Sequence, residues 1–292
     1  MKARRPAFSC RCLSGAALWV RHGCFYRTSD SRRVCRWKCL RCKKTCSQAT
    51  LHPCFRQKKR RANHRLFLLL ASGVSLRRAA RILGLNRTTI ERKFRFLASQ
   101  SRKANERFLE RFQNNPLSEI VFDEMETFEH TKFKPLSIAL AVSPSRQILS
   151  TQVAQMPATG LLAAKSRKKY GFRKDQRPAA LNKLFETLVP ITKPNALFKS
   201  DQKPTYPIAL KRVFPNARHI TTKGGRAAVV GQGELKKLTW DPIFALNHSA
   251  AMLRANMNRL FRRTWCTTKK PAGLENHLAI YIHYHNSSLL QV

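Results

Sequence analysis

A chain of 292 residues with 57 lysines and arginines against 15 acids carries a formal charge of +42. Like charges gathered into a compact body repel one another, so such a fold calls for a polyanion to neutralise it. A basic tail could inflate the total, but the charge runs through the whole chain. Residues 1–118 hold 30 basic and 4 acidic residues, and residues 119–292 hold 27 and 11. The hydrophobic fraction is 43%, which supports a real core and argues against a disordered polycation. The chain therefore reads as a folded nucleic-acid-binding protein, with DNA as the first choice of partner. Its length suggests two or three domains. The longest apolar run, Leu66 to Ala71, is far shorter than the roughly 20 residues of a membrane helix. No membrane partner is expected.

Eight of the nine cysteines fall within the first 54 residues, at 10, 12, 24, 35, 39, 42, 46 and 54; the ninth is Cys266. An odd total and no secretory signal argue against a disulfide scaffold. The acid-free segment 1–29 leaves a mitochondrial transit peptide as a rival reading, against which the cysteines weigh. Cys39-Leu-Arg-Cys42 has the spacing at which two thiolates turn back on one ion. Cys10-Arg-Cys12 is the natural second pair, and Cys24, Cys35, Cys46 and Cys54 are possible substitutes. Phe25-Tyr-Arg27 and Arg36-Trp-Lys38 suit a small strand pair. A zinc-ribbon-like segment over 1–58, held by structural Zn²⁺, is the expectation.

Residues 59–113 carry a helical pattern. Ala62 to Ala71 is apolar along one face and ends at Ser72-Gly73. Ser75 is placed to cap a helix from Leu76 to Leu83, and Gly84-Leu-Asn86 supplies a turn. A third helix starts near Arg87 and runs to about Leu97. Ile90, Phe94 and Leu97 recur on its inner face, and Ala79, Ala80 and Ile82 are expected to pack between the helices. Arg87, Thr88, Thr89, Lys93 and Arg95 are assigned to the outer face. That pattern predicts a helix-turn-helix whose last helix presents Arg87, Thr88, Thr89 and Lys93 to double-stranded DNA. Ser101 to Phe112 continues as a charged connecting helix.

From residue 114 the chain alternates strand-like and helix-like segments. Glu119 to Asp123, Lys134 to Val142 and Arg146 to Val153 read as three strands, and Ala179 to Leu188 as a helix. Asn195 to Asp201 and Arg218 to Thr221 read as further strands, and Asp241 to Thr264 as a long helical segment. Two strands thus end on acids, Asp123 and Asp201. In a ribonuclease-H-like sheet the first and fourth strands are neighbours, so these carboxylates would share divalent ions. Hard carboxylate oxygens suit Mg²⁺ or Mn²⁺. The fold class expected overall is a multidomain α+β or α/β chain. Its parts are the zinc ribbon, the helix-turn-helix over 59–113, and a mixed sheet flanked by helices over 114–292.

This order of parts resembles bacterial insertion-sequence transposases of the DDE superfamily, in the branch with a zinc-ribbon N-terminus. The matching segments are Phe122-Asp-Glu-Met-Glu126, Lys199-Ser-Asp201, and Asn247-His-Ser followed by Met252 to Thr264. The resemblance implies that Asp123 and Asp201 are the first two metal ligands and that the third catalytic position falls on Asn247, an Asp-Asp-Asn variant. Asn247 offers a neutral carbonyl oxygen, a weaker ligand than carboxylate. Glu234 is a rival third ligand, while Glu124 is expected on the opposite face of its strand and Glu126 beyond the strand. The resemblance also implies a basic residue seven positions after the third ligand. Arg254 stands there, placed to grip the DNA backbone.

Three basic runs fit a DNA path: Lys165 to Lys169, Lys223-Gly-Gly-Arg226, and Arg259, Arg262, Arg263, Lys269 and Lys270. The function implied is a DNA transposase that binds terminal inverted repeats, hydrolyses a phosphodiester and transfers the 3′-OH to target DNA. It would work as a homo-oligomer in the bacterial cytoplasm, at the nucleoid. The alternative is a catalytically inactive, transposase-derived DNA-binding regulator.

Overall fold

The computed structural model describes residues 19–28, 31–223, 241–261 and 267–289. Two compact units divide the chain, residues 1–65 and residues 66–292. In the first, β1 (Trp19–Arg27), β2 (Arg32–Cys39) and β3 (Thr45–Ser47) form an antiparallel sheet in that order, followed by the short α1 (Gln48–Leu51). Its core is small: Trp19, Cys39 and Cys46 are buried and Trp37 packs on them. Most other β1 and β2 side chains face solvent, Arg21, His22, Arg32, Arg33 and Arg36 among them.

Three helices follow: α2 (Ala62–Ala71), α3 (Leu76–Ile82) and α4 (Arg87–Glu110). The local signals in the sequence account for their ends. Ser75 Oγ accepts from the Arg78 N–H at 3.3 Å, and Asn86 Oδ1 accepts from the Thr88 N–H at 2.8 Å. Gly84 turns between them at φ +59°, a backbone region that costs glycine little. Leu66, Leu70, Ala79, Ile90, Phe94, Leu97 and Ala98 form the shared core. Ile82 differs from expectation: it is 61% exposed, two positions past the buried Ala79–Ala80 pair. The third helix also runs on unbroken for 24 residues.

Beyond α4 lies a five-stranded sheet of β4 (Leu117–Phe128), β5 (Pro135–Val142), β6 (Ile148–Gln155), β7 (Thr192–Asp201) and β8 (Arg218–Thr222). The strand order is β6-β5-β4-β7-β8. Consecutive strands β4, β5 and β6 pair antiparallel, whereas β4–β7 and β7–β8 are parallel. The sheet is mixed and flanked by helices, an arrangement compatible with the ribonuclease-H-like sheet expected. Its helices are α5 (Ala163–Tyr170), α6 (Arg177–Leu188), α7 (Thr205–Val213), α8 (Phe244–Asn256) and α9 (Pro271–Tyr284).

Because side chains alternate across a strand, the apolar run of β4 serves two cores. Val121 and Met125 pack with Leu246 and Leu253 of α8 and with Leu278 and Tyr281 of α9. Ile120 and Phe122 pack with Leu184 and Phe185 of α6 and Tyr206 and Leu210 of α7. Phe122 lies edge-on to Phe185 at 5.0 Å and tilted against Tyr206 at 5.1 Å. Truncating a ring buried this way costs about 3–5 kcal/mol.

β4 and α8 also differ in length from the sequence reading. β4 continues past Asp123 to Phe128, because β5 pairs with it as far as Pro135. Glu126 therefore lies within the strand. The helix expected from Asp241 to Thr264 stops at Asn256, where Met257 turns to φ −107°, ψ 110° and buries its side chain.

α9 also joins the three-helix layer to the sheet. Ile280 enters the core of α2–α4, and Asn105 Nδ2 of α4 donates to the Ala279 carbonyl at 3.1 Å. His277 Nε2 donates to the Leu70 carbonyl at 2.8 Å. After α9, Asn286 brackets the edge strand β6: its Oδ1 accepts from the Ile148 N–H and its Nδ2 donates to the Ile148 carbonyl, both at 2.9 Å. These bonds satisfy the backbone of the first β6 residue on the open edge of the sheet.

Candidate active site and basic surfaces

Parallel pairing of β4 with β7 sets Glu119 beside Leu197 and Val121 beside Lys199. Pairing with β7 ends there, and the same register continued by two residues leads Asp123 toward Asp201. Asp201 is the last residue of β7, and Asp123 stands where β4 leaves β7 and continues with β5 alone. Burial raises the Asp123 carboxyl above its ordinary range, and the nearby charges of Asp201 and Glu124 add to the rise. Hydrogen bonds from the Glu124 N–H and the Tyr206 hydroxyl oppose it.

A polar network surrounds Asp123. Its Oδ1 accepts from the Tyr206 hydroxyl at 2.8 Å and from the Glu124 N–H at 2.7 Å. Glu124 belongs to the other face of the strand, with Phe122, as the alternation demands. Its carboxylate is nonetheless engaged. Oε1 accepts from Ser137 Oγ at 3.0 Å, and Oε2 pairs with the Lys203 ammonium and lies 3.4 Å from the Tyr206 hydroxyl. The Lys203 N–H also points at Asp201 Oδ1, at 3.3 Å. Tyr206 and Lys203 did not emerge from the sequence, although Lys203 lies only two residues beyond Asp201. Burial and the neighbouring acids push the Tyr206 phenol far above its ordinary range, so it stays protonated and can only donate to these carboxylates. A cavity of about 210 Å³ opens beside Glu124, Arg177 and Lys203.

Asn247 is exposed on α8, and its Nδ2 donates to Asp241 Oδ2 at 2.8 Å. The structure thus brings Asp123 and Asp201 together and joins Asn247 to Asp241. Arg254 is exposed on the same face of α8, seven residues on. It lines a cavity of about 350 Å³ with Met125, Glu126, Lys132 and Arg259. Glu234, Arg226, Arg262 and Arg263 lie outside the described residues. Among the described residues, no group of three or more His, Cys, Asp or Glu is arranged to hold a metal ion.

On α4, Arg87, Thr88 and Arg95 are exposed and Thr89 is half-buried. Arg87 pairs with Glu91 one turn on, at 3.1 Å. Lys93 is a correction: it is buried, 3% exposed. Helical spacing explains this, since Lys93 sits three residues after Ile90 and four before Leu97 and so shares their inner face.

In the first unit, Cys39 is buried and Cys42 exposed, at either end of a tight turn. The Cys39 N–H donates to the Lys44 carbonyl and the Lys43 N–H to the Cys39 carbonyl, both at 2.9 Å, with Lys43 at φ +58°. Cys10 and Cys12 lie outside the described residues. No protein-family model matches the chain, and no curated protein does.

Proposed function

We propose that this protein is a DNA transposase of the Asp-Asp-Asn type, as the sequence resemblance implies. One observation carries the reading: the parallel β4–β7 pairing brings Asp123 and Asp201 side by side, half-buried, in a chain of charge +42. Two neighbouring carboxylates with hard oxygen donors suit Mg²⁺ or Mn²⁺, and burial together with mutual repulsion gives them reason to take one. Asp123 and Asp201 would hold the ion, with the Asn247 carbonyl oxygen as a third donor. The chemistry Mg²⁺ supplies when bound is stabilisation of the attacking and leaving oxygens of a phosphodiester.

The chain's own residues set the stage for that step. Tyr206 and the Glu124 N–H fix the Asp123 carboxylate, and the Lys203 ammonium pairs with Glu124 and offsets part of the negative charge that Glu124 adds beside Asp123. Arg254, two turns past Asn247 on the same face, is positioned for a phosphate. The α2–α4 helices would act as a helix-turn-helix, with Arg87, Thr88 and Thr89 toward the major groove. The Cys39–Cys42 turn supports a zinc knuckle completed by Cys10 and Cys12, in a ribbon that stays folded through its metal. The partners are terminal inverted repeats and target DNA, and two element ends call for a homo-oligomer.

Strand transfer of a pre-cut DNA end in Mg²⁺ tests the reading. Wild type should join the end to a target, and Asp123→Ala should bind the same DNA and join nothing. Equal inertness of both, with DNA binding intact, leaves the second reading, a DNA-binding regulator without catalysis. One observation favours that alternative: the third position holds a neutral amide, whose nitrogen donates to Asp241 and whose carbonyl oxygen is a weaker ligand than a carboxylate.

A further inference from the structure

The transposase reading uses neither Cys24 nor Cys35, yet these two residues face each other across β1 and β2. Their sulfurs are 2.8 Å apart. Arg21 Nη2 lies 3.8 Å from the Cys24 sulfur and 3.7 Å from that of Cys35. We propose that Cys24 and Cys35 form a peroxide-reactive dithiol that closes reversibly into a cross-strand disulfide.

The geometry separates this from a metal pair. Two thiolates sharing one zinc at about 2.3 Å each, at tetrahedral angles, stand roughly 3.8 Å apart. These sulfurs are closer than that. Directly paired residues of antiparallel strands have Cα atoms about 4.5–5.5 Å apart, inside the span of about 4.4–6.8 Å that a disulfide bridges. Closure therefore needs side-chain rotation and no change of strand register.

The surroundings favour the thiolate, which is the nucleophile. The Arg21 guanidinium lies beside both sulfurs and favours the charged form of either one. The oxidant class is a hydroperoxide, hydrogen peroxide in the simplest case. The Cys24 thiolate attacks one peroxide oxygen and the O–O bond breaks. Hydroxide leaves, takes a proton and departs as water, and Cys24 becomes a sulfenic acid. The Cys35 sulfur then attacks the Cys24 sulfur. The S–O bond breaks, and the hydroxyl leaves as a second water with the Cys35 proton. In sum, two thiols and one peroxide give one disulfide and two waters. A dithiol reductant reverses the step by exchange.

The test uses the reduced full-length protein, treated with one equivalent of hydrogen peroxide, alkylated and mapped by peptide mass spectrometry. The expected product is a Cys24–Cys35 linkage, lost in Cys24→Ser and in Cys35→Ser. Arg21→Gln should slow its formation several-fold, and an unchanged rate overturns the role given to Arg21. Linkage mainly through other cysteines, or no linkage, overturns the proposal. Zinc content of Cys24→Ser provides the second measurement. Retention of the wild-type zinc supports the dithiol, and loss of one equivalent overturns it by making Cys24 a metal ligand.

Discussion

The Tyr206 hydroxyl donates to Asp123 Oδ1 at 2.8 Å, across 83 residues of sequence. The Tyr206 ring belongs to the aromatic core with Phe122, so one side chain is anchored by packing and holds a carboxylate with its tip. Tyr206→Phe keeps the ring and removes the donor. The fold should survive with a loss of about 1 kcal/mol, the net worth of a typical hydrogen bond. Strand transfer should fall roughly tenfold for each 1.4 kcal/mol of lost transition-state positioning. Thermal unfolding and strand-transfer rates measured on the same preparation separate the two effects. An unchanged rate would remove Tyr206 from the site.

Burial and the nearby charge of Asp201 disfavour ionised Asp123. In chelator, Asp123→Asn should therefore unfold at a higher temperature than wild type at neutral pH. Added Mg²⁺ should raise the unfolding temperature of wild type and leave Asp123→Asn nearly unmoved, because only wild type offers both carboxylates. Equal Mg²⁺ stabilisation of the two proteins would place the ion elsewhere.

Complete burial of His277 lowers its pKa from 6.5 to about 4. The neutral ring donates through Nε2 to the Leu70 carbonyl. A base with a depressed folded pKa contributes stability above its unfolded pKa and loses it as pH falls through the folded value. Wild type should therefore lose about 3 kcal/mol between pH 6.5 and pH 4 from this residue, at about 1.4 kcal/mol per pKa unit. His277→Gln should show a flatter profile over that window in denaturant unfolding. Parallel profiles for the two proteins would refute the assignment.

Arg254 and Lys93 should respond differently to substitution, although both are basic and both were assigned to DNA. Arg254→Ala should weaken DNA binding and reduce the salt slope by about one phosphate contact. Lys93→Met, at a buried position, should leave the slope unchanged. Titrations at several salt concentrations give both slopes, and a reduced slope for Lys93→Met would show that its ammonium reaches the backbone.

Much of the fold was legible because it is encoded locally. Ser75 and Asn86 mark helix starts with side chains that act within three residues of themselves, and Gly84 supplies the positive-φ turn between them, as the structure shows. The strands β5 and β7 announced themselves as apolar runs bounded by turn residues. Errors arose where a neighbour decides. β4 extends past Asp123 because β5 is there to pair with it, and α8 ends early because Met257 finds a place in the core. Lys93 is the exception, since helical spacing alone already put it on the inner face.

By itself, the sequence determined the positive charge, the cysteine-rich start, the three-helix layer and the two acids at 123 and 201. These depend on composition and short-range pattern, which folding does not alter. Only the tertiary structure decided that Asp123 and Asp201 are neighbours, that Tyr206 and Lys203 attend them, and that Cys24 faces Cys35. Each of these rests on which strands pair and in what register. Pairing brings together residues far apart in the chain, and a shift of one residue turns every side chain to the other face.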